Sequence, residues 1–150
     1  MPLKPGDKAP AFTLTDQAGD SRKLSAFKGS KVLVYFYPKA DTPGCTTQSC
    51  ELRDIAGDIG GTAIVGISPD TTEKLAKFDT KYSLGFPLLS DPDHSVAEEW
   101  STWGEKSMYG KKYMGIVRSA FLIDEKGKIL EAWYKISPKD TPKKLLAALA

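Results

Sequence analysis

Two cysteines, Cys45 and Cys50, are the only thiols in a chain of 150 residues. They stand in the stretch Tyr37-Pro38-Lys-Ala-Asp-Thr42-Pro43-Gly44-Cys45-Thr-Thr-Gln48-Ser-Cys50-Glu-Leu-Arg53-Asp54. One pair does not make a disulfide scaffold, which in small secreted proteins needs several bridges. It also falls short of a structural zinc site, because four ligands are needed and the only histidine, His94, is far along the chain. The remaining use of such a pair is chemical. The stretch runs from the end of a strand, through a turn containing Pro and Gly, into a helix, which puts Cys45 at a helix N-terminus. The unpaired N–H groups there favour negative charge, and the thiolate is the nucleophilic form of cysteine.

A thiolate displaces oxygen from a peroxide only slowly unless the O–O bond is held in line and the departing oxygen is stabilised. Candidate supports surround Cys45 in the sequence. Thr42, three residues earlier, carries a hydroxyl able to bond the thiolate or a peroxide oxygen. Pro43 and Gly44 bend the backbone so that amides point inward. Pro38 would shield the pocket from water. Arg118, in Gly115-Ile-Val-Arg118-Ser119, is the arginine expected to bring fixed positive charge. In a helix beginning at Cys45, five residues make about 500° of turn and about 7.5 Å of rise, so Cys50 projects from another face. A disulfide needs Cα atoms within about 7 Å, so pairing requires the first turns to unwind. Two readings of Cys50 stand at this point: the second half of a redox pair, or a small buried apolar side chain.

These residues must be positioned by the elements around them. Lys31-Val-Leu-Val-Tyr-Phe-Tyr37 is a nearly continuous apolar run closed by Pro38, as for a strand buried on both faces. Thr62 to Ser68 has the same character, and Ala120 to Asp124 with Ile129 to Tyr134 reads as a hairpin. Asp70 and Glu73 form a D-x-x-E capping box before Leu75, Phe78 and Tyr82 at helical spacing. Thr141 as N-cap, with Pro142 first in the helix and Leu145, Leu146 and Leu149 as its stripe, predicts a closing helix. Phe12 to Thr15, Asp16 to Gly19 and Leu24 suggest an entry hairpin. The order predicts an α/β protein: a thioredoxin-like fold with a mixed central sheet flanked by helices and an N-terminal hairpin extension, as one domain over residues 1–150.

Composition narrows the partners. The formal charge is +2, with basic residues scattered rather than striped, so nucleic acid is a poor partner. No apolar run approaches the roughly 18 residues of a spanning helix, and the start MPLKPGDKAP lacks the regions of a signal peptide. A soluble, cytoplasmic protein with no membrane partner is expected. Other residues carry two readings each. His94 reads first as a surface or capping residue. Trp100, Trp103, Met108, Tyr109, Tyr113 and Met114 read mainly as packing, with a smaller share at the mouth of a pocket. Gln48 either bonds the active-site turn or is solvated. Arg53 pairs with Asp54 or supports the thiolate. Lys106, Lys111 and Lys112 read as a solvated loop, less readily as a surface steering an acidic reductant.

Pro38-Lys-Ala-Asp-Thr42-Pro-Gly-Cys45 resembles the P-x-x-x-T-x-x-C signature of peroxiredoxins. Pro43-Gly-Cys45-Thr-Thr-Gln-Ser-Cys50 is similar to the bacterioferritin comigratory protein or peroxiredoxin Q subfamily. The resemblance extends from Gly6-Asp-Lys-Ala-Pro10 through Gly66-Ile-Ser68 and Asp91-Pro-Asp-His94 to Arg118-Ser-Ala-Phe-Leu-Ile-Asp124. It implies a peroxidatic Cys45, a resolving Cys50, and Pro38, Thr42 and Arg118 as support. It further implies reduction of hydrogen peroxide and organic hydroperoxides through a sulfenic acid, an intrachain disulfide, and recycling by thioredoxin or a glutaredoxin-like dithiol. No metal, haem or flavin is called for, and a monomer is expected. Two rivals remain: a thiol–disulfide oxidoreductase, which wants C-x-x-C and has no use for Thr42 as a donor, and a redox sensor that reacts slowly with peroxide.

Overall fold

The structure is a computed structural model and describes residues 2–150. Strand β3 (Val32–Phe36) is buried along its whole length, as its unbroken apolar run requires. It pairs parallel with β4 (Ala63–Ser68) and antiparallel with β8 (Ser119–Ile123). β9 (Ile129–Trp133) follows β8 as the expected hairpin, and β5 (Leu88–Ser90) lies parallel beyond β4. The entry hairpin of β1 (Thr13–Asp16) and β2 (Ser21–Lys23) joins antiparallel to β5. The sheet thus runs β2-β1-β5-β4-β3-β8-β9, and β6 (Trp103–Met108) and β7 (Lys111–Ile116) form a separate two-stranded sheet. The mixed sheet and helical layers are those of the thioredoxin-like fold.

Alternation along β3 divides the core. Val32, Val34 and Phe36 pack on one side with Val65, Ile67, Trp100 and Phe121. Leu33, Tyr35 and Tyr37 pack on the other with Cys45, Leu52, Leu75, Phe78 and Leu145. The second side is covered by α1 (Pro43–Ile55), α2 (Thr72–Tyr82) and α4 (Asp140–Leu149), and the first by the short α3 (Ser95–Glu99). Each large apolar side chain withdrawn from water contributes roughly 1.5–3 kcal/mol. Gly66 makes room for the stacked Tyr35 and Tyr37, since a Cβ there would lie 2.9 Å from the Tyr35 ring and 3.0 Å from the Tyr37 ring.

Four local expectations are corrected. Thr71, not Asp70, caps α2, its hydroxyl accepting from Lys74 N–H at 3.3 Å. The Asp70 carboxylate is taken by Ala40 N–H at 2.7 Å and the Ser68 hydroxyl at 2.9 Å. Thr141 lies inside α4 rather than at its cap, and the Ser137 hydroxyl accepts from Asp140 N–H at 3.1 Å. Lys106, Lys111 and Lys112 lie on β6 and β7 rather than in a loop. Finally, the aromatic and Met-rich stretch divides: Trp100 and Ile116 are buried, while Met108, Tyr109, Tyr113 and Met114 are exposed on the hairpin. Among the described residues, no helix is long and apolar enough to cross a membrane.

Candidate active site

β3 ends at Phe36 and the buried Tyr37, half-buried Pro38 follows, and the chain turns through Asp41 at φ 60° into Thr42. Aspartate tolerates this left-handed backbone better than most residues. The tip of α2 holds it there: Lys81 Nζ and the Tyr82 hydroxyl reach the Asp41 carboxylate at 2.9 and 2.7 Å. Thr42 is extended and Pro43 opens α1, a position where its missing N–H is no loss. The Thr42 hydroxyl donates to Lys39 O at 2.8 Å instead of capping the helix. The first helical bond closes at Thr46 N–H to Thr42 O, 2.8 Å, so the preceding amides have no helical partner one turn back.

Cys45 follows in this first turn, fully buried and a free thiol. The Arg118 Nη2 donates to Cys45 Sγ at 3.3 Å from the loop just before β8. Its Nη1 donates to Gln48 Oε1 at 2.7 Å. A guanidinium can only donate, so the sulfur is the acceptor in this contact. Gly44 permits this approach, because a Cβ there would stand 3.2 Å from Arg118 Nη2 and 3.5 Å from Pro138 Cγ. Beneath Cys45, the Tyr35 hydroxyl shares a 2.8 Å hydrogen bond with Ser49 Oγ. Burial pushes both Tyr35 and Tyr37 well above the ordinary phenol range, so the floor is neutral. A shallow depression of about 390 Å³, lined by Pro43, Gly44, Thr47 and Ser137 to Lys139, opens beside this turn. A more enclosed cavity of about 150 Å³, between Lys8, Leu24, Phe27 and Ile123, holds neither thiol.

The sequence-derived residues therefore meet in part. Cys45 and Arg118 are in contact. Thr42 is one turn away with its proton committed to Lys39, so its oxygen is left to accept, and Pro38 lies at the strand end. Cys50 is a free, half-buried thiol packed at the edge of the second core cluster. Arg53 makes the expected pair with Asp54, 2.8 Å, and donates to Tyr82 O as well. His94 stands at the α3 N-cap position, stacked on Trp103 at 3.7 Å, and its Nδ1 lies 3.3 Å from Glu98 Oε2.

Two residues do more in the structure than their types and spacing suggest. Gln48 is fully buried, donating through Nε2 to Thr141 Oγ1 at 2.9 Å while its oxygen receives Arg118. Its position three residues after Cys45, on the same helical face, is the signal that it shares the thiol's surroundings. Lys106 donates to Ile116 O at 2.8 Å. Burial first, and then the Arg118 charge, push its ammonium below the ordinary lysine range, with the Cys45 charge opposing. Among the described residues, no cluster of three or more His, Cys, Asp or Glu side chains could hold a metal ion.

The AhpC/TSA family model matches residues 5–132. A putative peroxiredoxin of Mycobacterium tuberculosis is 54% identical over 136 residues, 89% of this chain and 87% of the relative. Peroxiredoxin Bcp of Escherichia coli is 55% identical over 130 residues, 85% of this chain and 83% of the relative. A solved structure of a Xanthomonas campestris peroxiredoxin Q variant superposes with a TM-score of 0.87 at 34% identity, covering 99% of this chain and 96% of that one. A structure from work on alkyl peroxide reduction by the X. campestris bacterioferritin comigratory protein gives a TM-score of 0.87 at 33% identity, with 99% and 96% covered.

Proposed function

The chain belongs to the AhpC/TSA family, in its bacterioferritin comigratory protein and peroxiredoxin Q group, and is a thiol peroxidase; from that premise we propose that Cys45 is peroxidatic and Cys50 resolving. The observation that carries the reading is the Arg118 guanidinium on the buried Cys45 sulfur at the start of α1. The Cys45 thiolate attacks one oxygen of ROOH. The S–O bond forms as the O–O bond breaks, sulfur is oxidised to the sulfenic acid, and the departing RO⁻ takes a proton to leave as ROH. Arg118 and the first amides of α1 stabilise the charge as it moves, while Thr42 Oγ1 accepts from the hydroperoxide O–H. Lys106 adds a second positive charge to the field around the sulfur.

The first half of α1 then unwinds, and the Cys50 thiol condenses with the Cys45 sulfenic acid to give the disulfide and water. A dithiol such as thioredoxin or a glutaredoxin-like protein exchanges with that disulfide, leaving oxidised itself and returning both thiols. The anchors at α2 set the limits of the unwinding: Asp41 is held before the segment and Arg53 after it. Hydrogen peroxide and organic hydroperoxides are the substrates proposed, in a monomeric, cytoplasmic enzyme acting as one domain. The test is peroxide consumption coupled to thioredoxin and its reductase, with wild type, Cys45→Ser and Cys50→Ser. Turnover by wild type alone supports the reading; turnover that survives Cys45→Ser overturns it.

A further inference from the structure

A continuous chain of hydrogen bonds, buried at its middle link between Gln48 and Thr141, joins Cys45 to the start of α4. Arg118 bonds Cys45 Sγ at 3.3 Å and Gln48 Oε1 at 2.7 Å; Gln48 Nε2 bonds Thr141 Oγ1 at 2.9 Å; the Thr141 hydroxyl donates to Ser137 O at 3.0 Å. Gln48 and Thr141 are both fully buried. Proton directions along the chain follow from its two ends. The Ser137 carbonyl can only accept, so the Thr141 proton goes to it and the Thr141 oxygen must accept from Gln48. The Gln48 amide is thereby oriented with its oxygen towards Arg118, which can only donate. One fork of Arg118 is held by Gln48 so that the other rests on the sulfur.

Gln48 also lies between Cys45 and Cys50, inside the segment that must unwind for the two sulfurs to meet. We propose that Thr141 is a positioning residue for the Cys45 site and the latch on its unwinding: through Gln48 it holds Arg118 on the sulfur and the first turns of α1 in place. This rests on the two-cysteine reading above. The single set of bonds serves the peroxide step while intact and delays the resolving step until it breaks, so Thr141 sets how Cys45 sulfenic acid divides between disulfide and further oxidation to sulfinic acid. Loss of the hydroxyl leaves the Gln48 donor buried without an acceptor only while α1 is wound, because in the unwound segment water solvates it. The change therefore favours the unwound state.

The test compares wild type, Thr141→Val and Thr141→Ser. Each is given a range of hydrogen peroxide, with disulfide and sulfinic acid quantified by mass spectrometry and α1 amide exchange followed in the reduced protein. Thr141→Val is expected to speed disulfide closure about tenfold and lower the sulfinic fraction to match, while slowing the peroxide step less, about threefold. Amide protection of residues 45–50 falls, that of α4 does not, and Thr141→Ser, which restores the hydroxyl, returns all of these towards wild type. Unchanged partition in Thr141→Val, failure of Thr141→Ser to rescue, or equal loss of protection in α4 would each overturn the latch. If wild type forms no Cys45 to Cys50 disulfide at all, it is the underlying reading that fails.

Discussion

Cys45 and Cys50 share one helix but not one environment. Cys45 is sealed from solvent, stands in the first turn beside amides with no helical partner, and receives Arg118. Cys50 is half-buried against apolar side chains, and the Arg53 charge that it feels belongs to a side chain whose donors already serve Asp54 and Tyr82. A thiol that must react first needs its charge stabilised before substrate arrives. A thiol that reacts second, as proposed for Cys50, must stay inert until the helix opens, and apolar surroundings favour the unreactive thiol. In the proposed cycle, the separation along the helix keeps the two roles apart until α1 unwinds.

That contrast is broken most completely at Cys45. Cys45→Ser is expected to reduce peroxide consumption to the background of an unactivated thiol, even though Cys50 remains; a fast reaction in this variant would mean the two environments do not differ in reactivity. Arg118→Met comes next, with loss of roughly a hundredfold in the peroxide step, the scale of removing one preorganised charge donor. Arg118→Lys should recover only part of it, since an ammonium cannot bridge Cys45 and Gln48 as the fork does. Stopped-flow kinetics at fixed pH decides both.

A smaller effect sharpens the comparison from the backbone side. Gly44→Ala places a methyl 3.2 Å from Arg118 Nη2, so the guanidinium that bonds Cys45 Sγ must give by a few tenths of an ångström. We expect about tenfold slower oxidation with little change in thermal stability, since the site, not the core, is disturbed. Equal rates in the two proteins would mean that the guanidinium can move without consequence. Cys50→Ser should leave the peroxide step within about threefold of wild type and stop oxidation at Cys45, where mass spectrometry will find sulfenic and then sulfinic acid.

The smallest effect lies in the clamp on Asp41, just before α1. Lys81, and then Tyr82, hold the Asp41 carboxyl below its ordinary range. A carboxyl depressed on folding contributes stability above its unfolded value near 4, and that contribution is lost as pH falls through the lower folded value. Between about pH 4 and pH 2, wild type should therefore lose slightly more stability than Asp41→Asn. Identical acid limbs in chemical denaturation would show that the clamp is not electrostatic.

The central strands were legible because burial on both faces writes an unbroken apolar run, as in Val32 to Phe36. The strand Leu88 to Ser90 was not, being three residues long after Pro87, and neither was the hairpin from Trp103 to Ile116, whose exposed faces follow no core pattern. The active-site turn was legible because local chemistry specifies it: Thr42, Pro43, Gly44 and Cys45 adjoin in sequence, and Arg118 could be chosen by charge and position. Gln48 and Thr141 were harder. Each has a plausible local use, as a solvated helix residue or a helix cap, and only their packing against each other, 93 residues apart in sequence, assigns them elsewhere.

The most direct test of the account is to mix reduced protein rapidly with one equivalent of hydrogen peroxide, quench with a thiol alkylating agent, and map the oxidised residue over time. Oxygen is expected first on Cys45, with the Cys45 to Cys50 disulfide following at the same total yield. Oxidation appearing first on Cys50, or on both thiols no faster than on free cysteine, would contradict it.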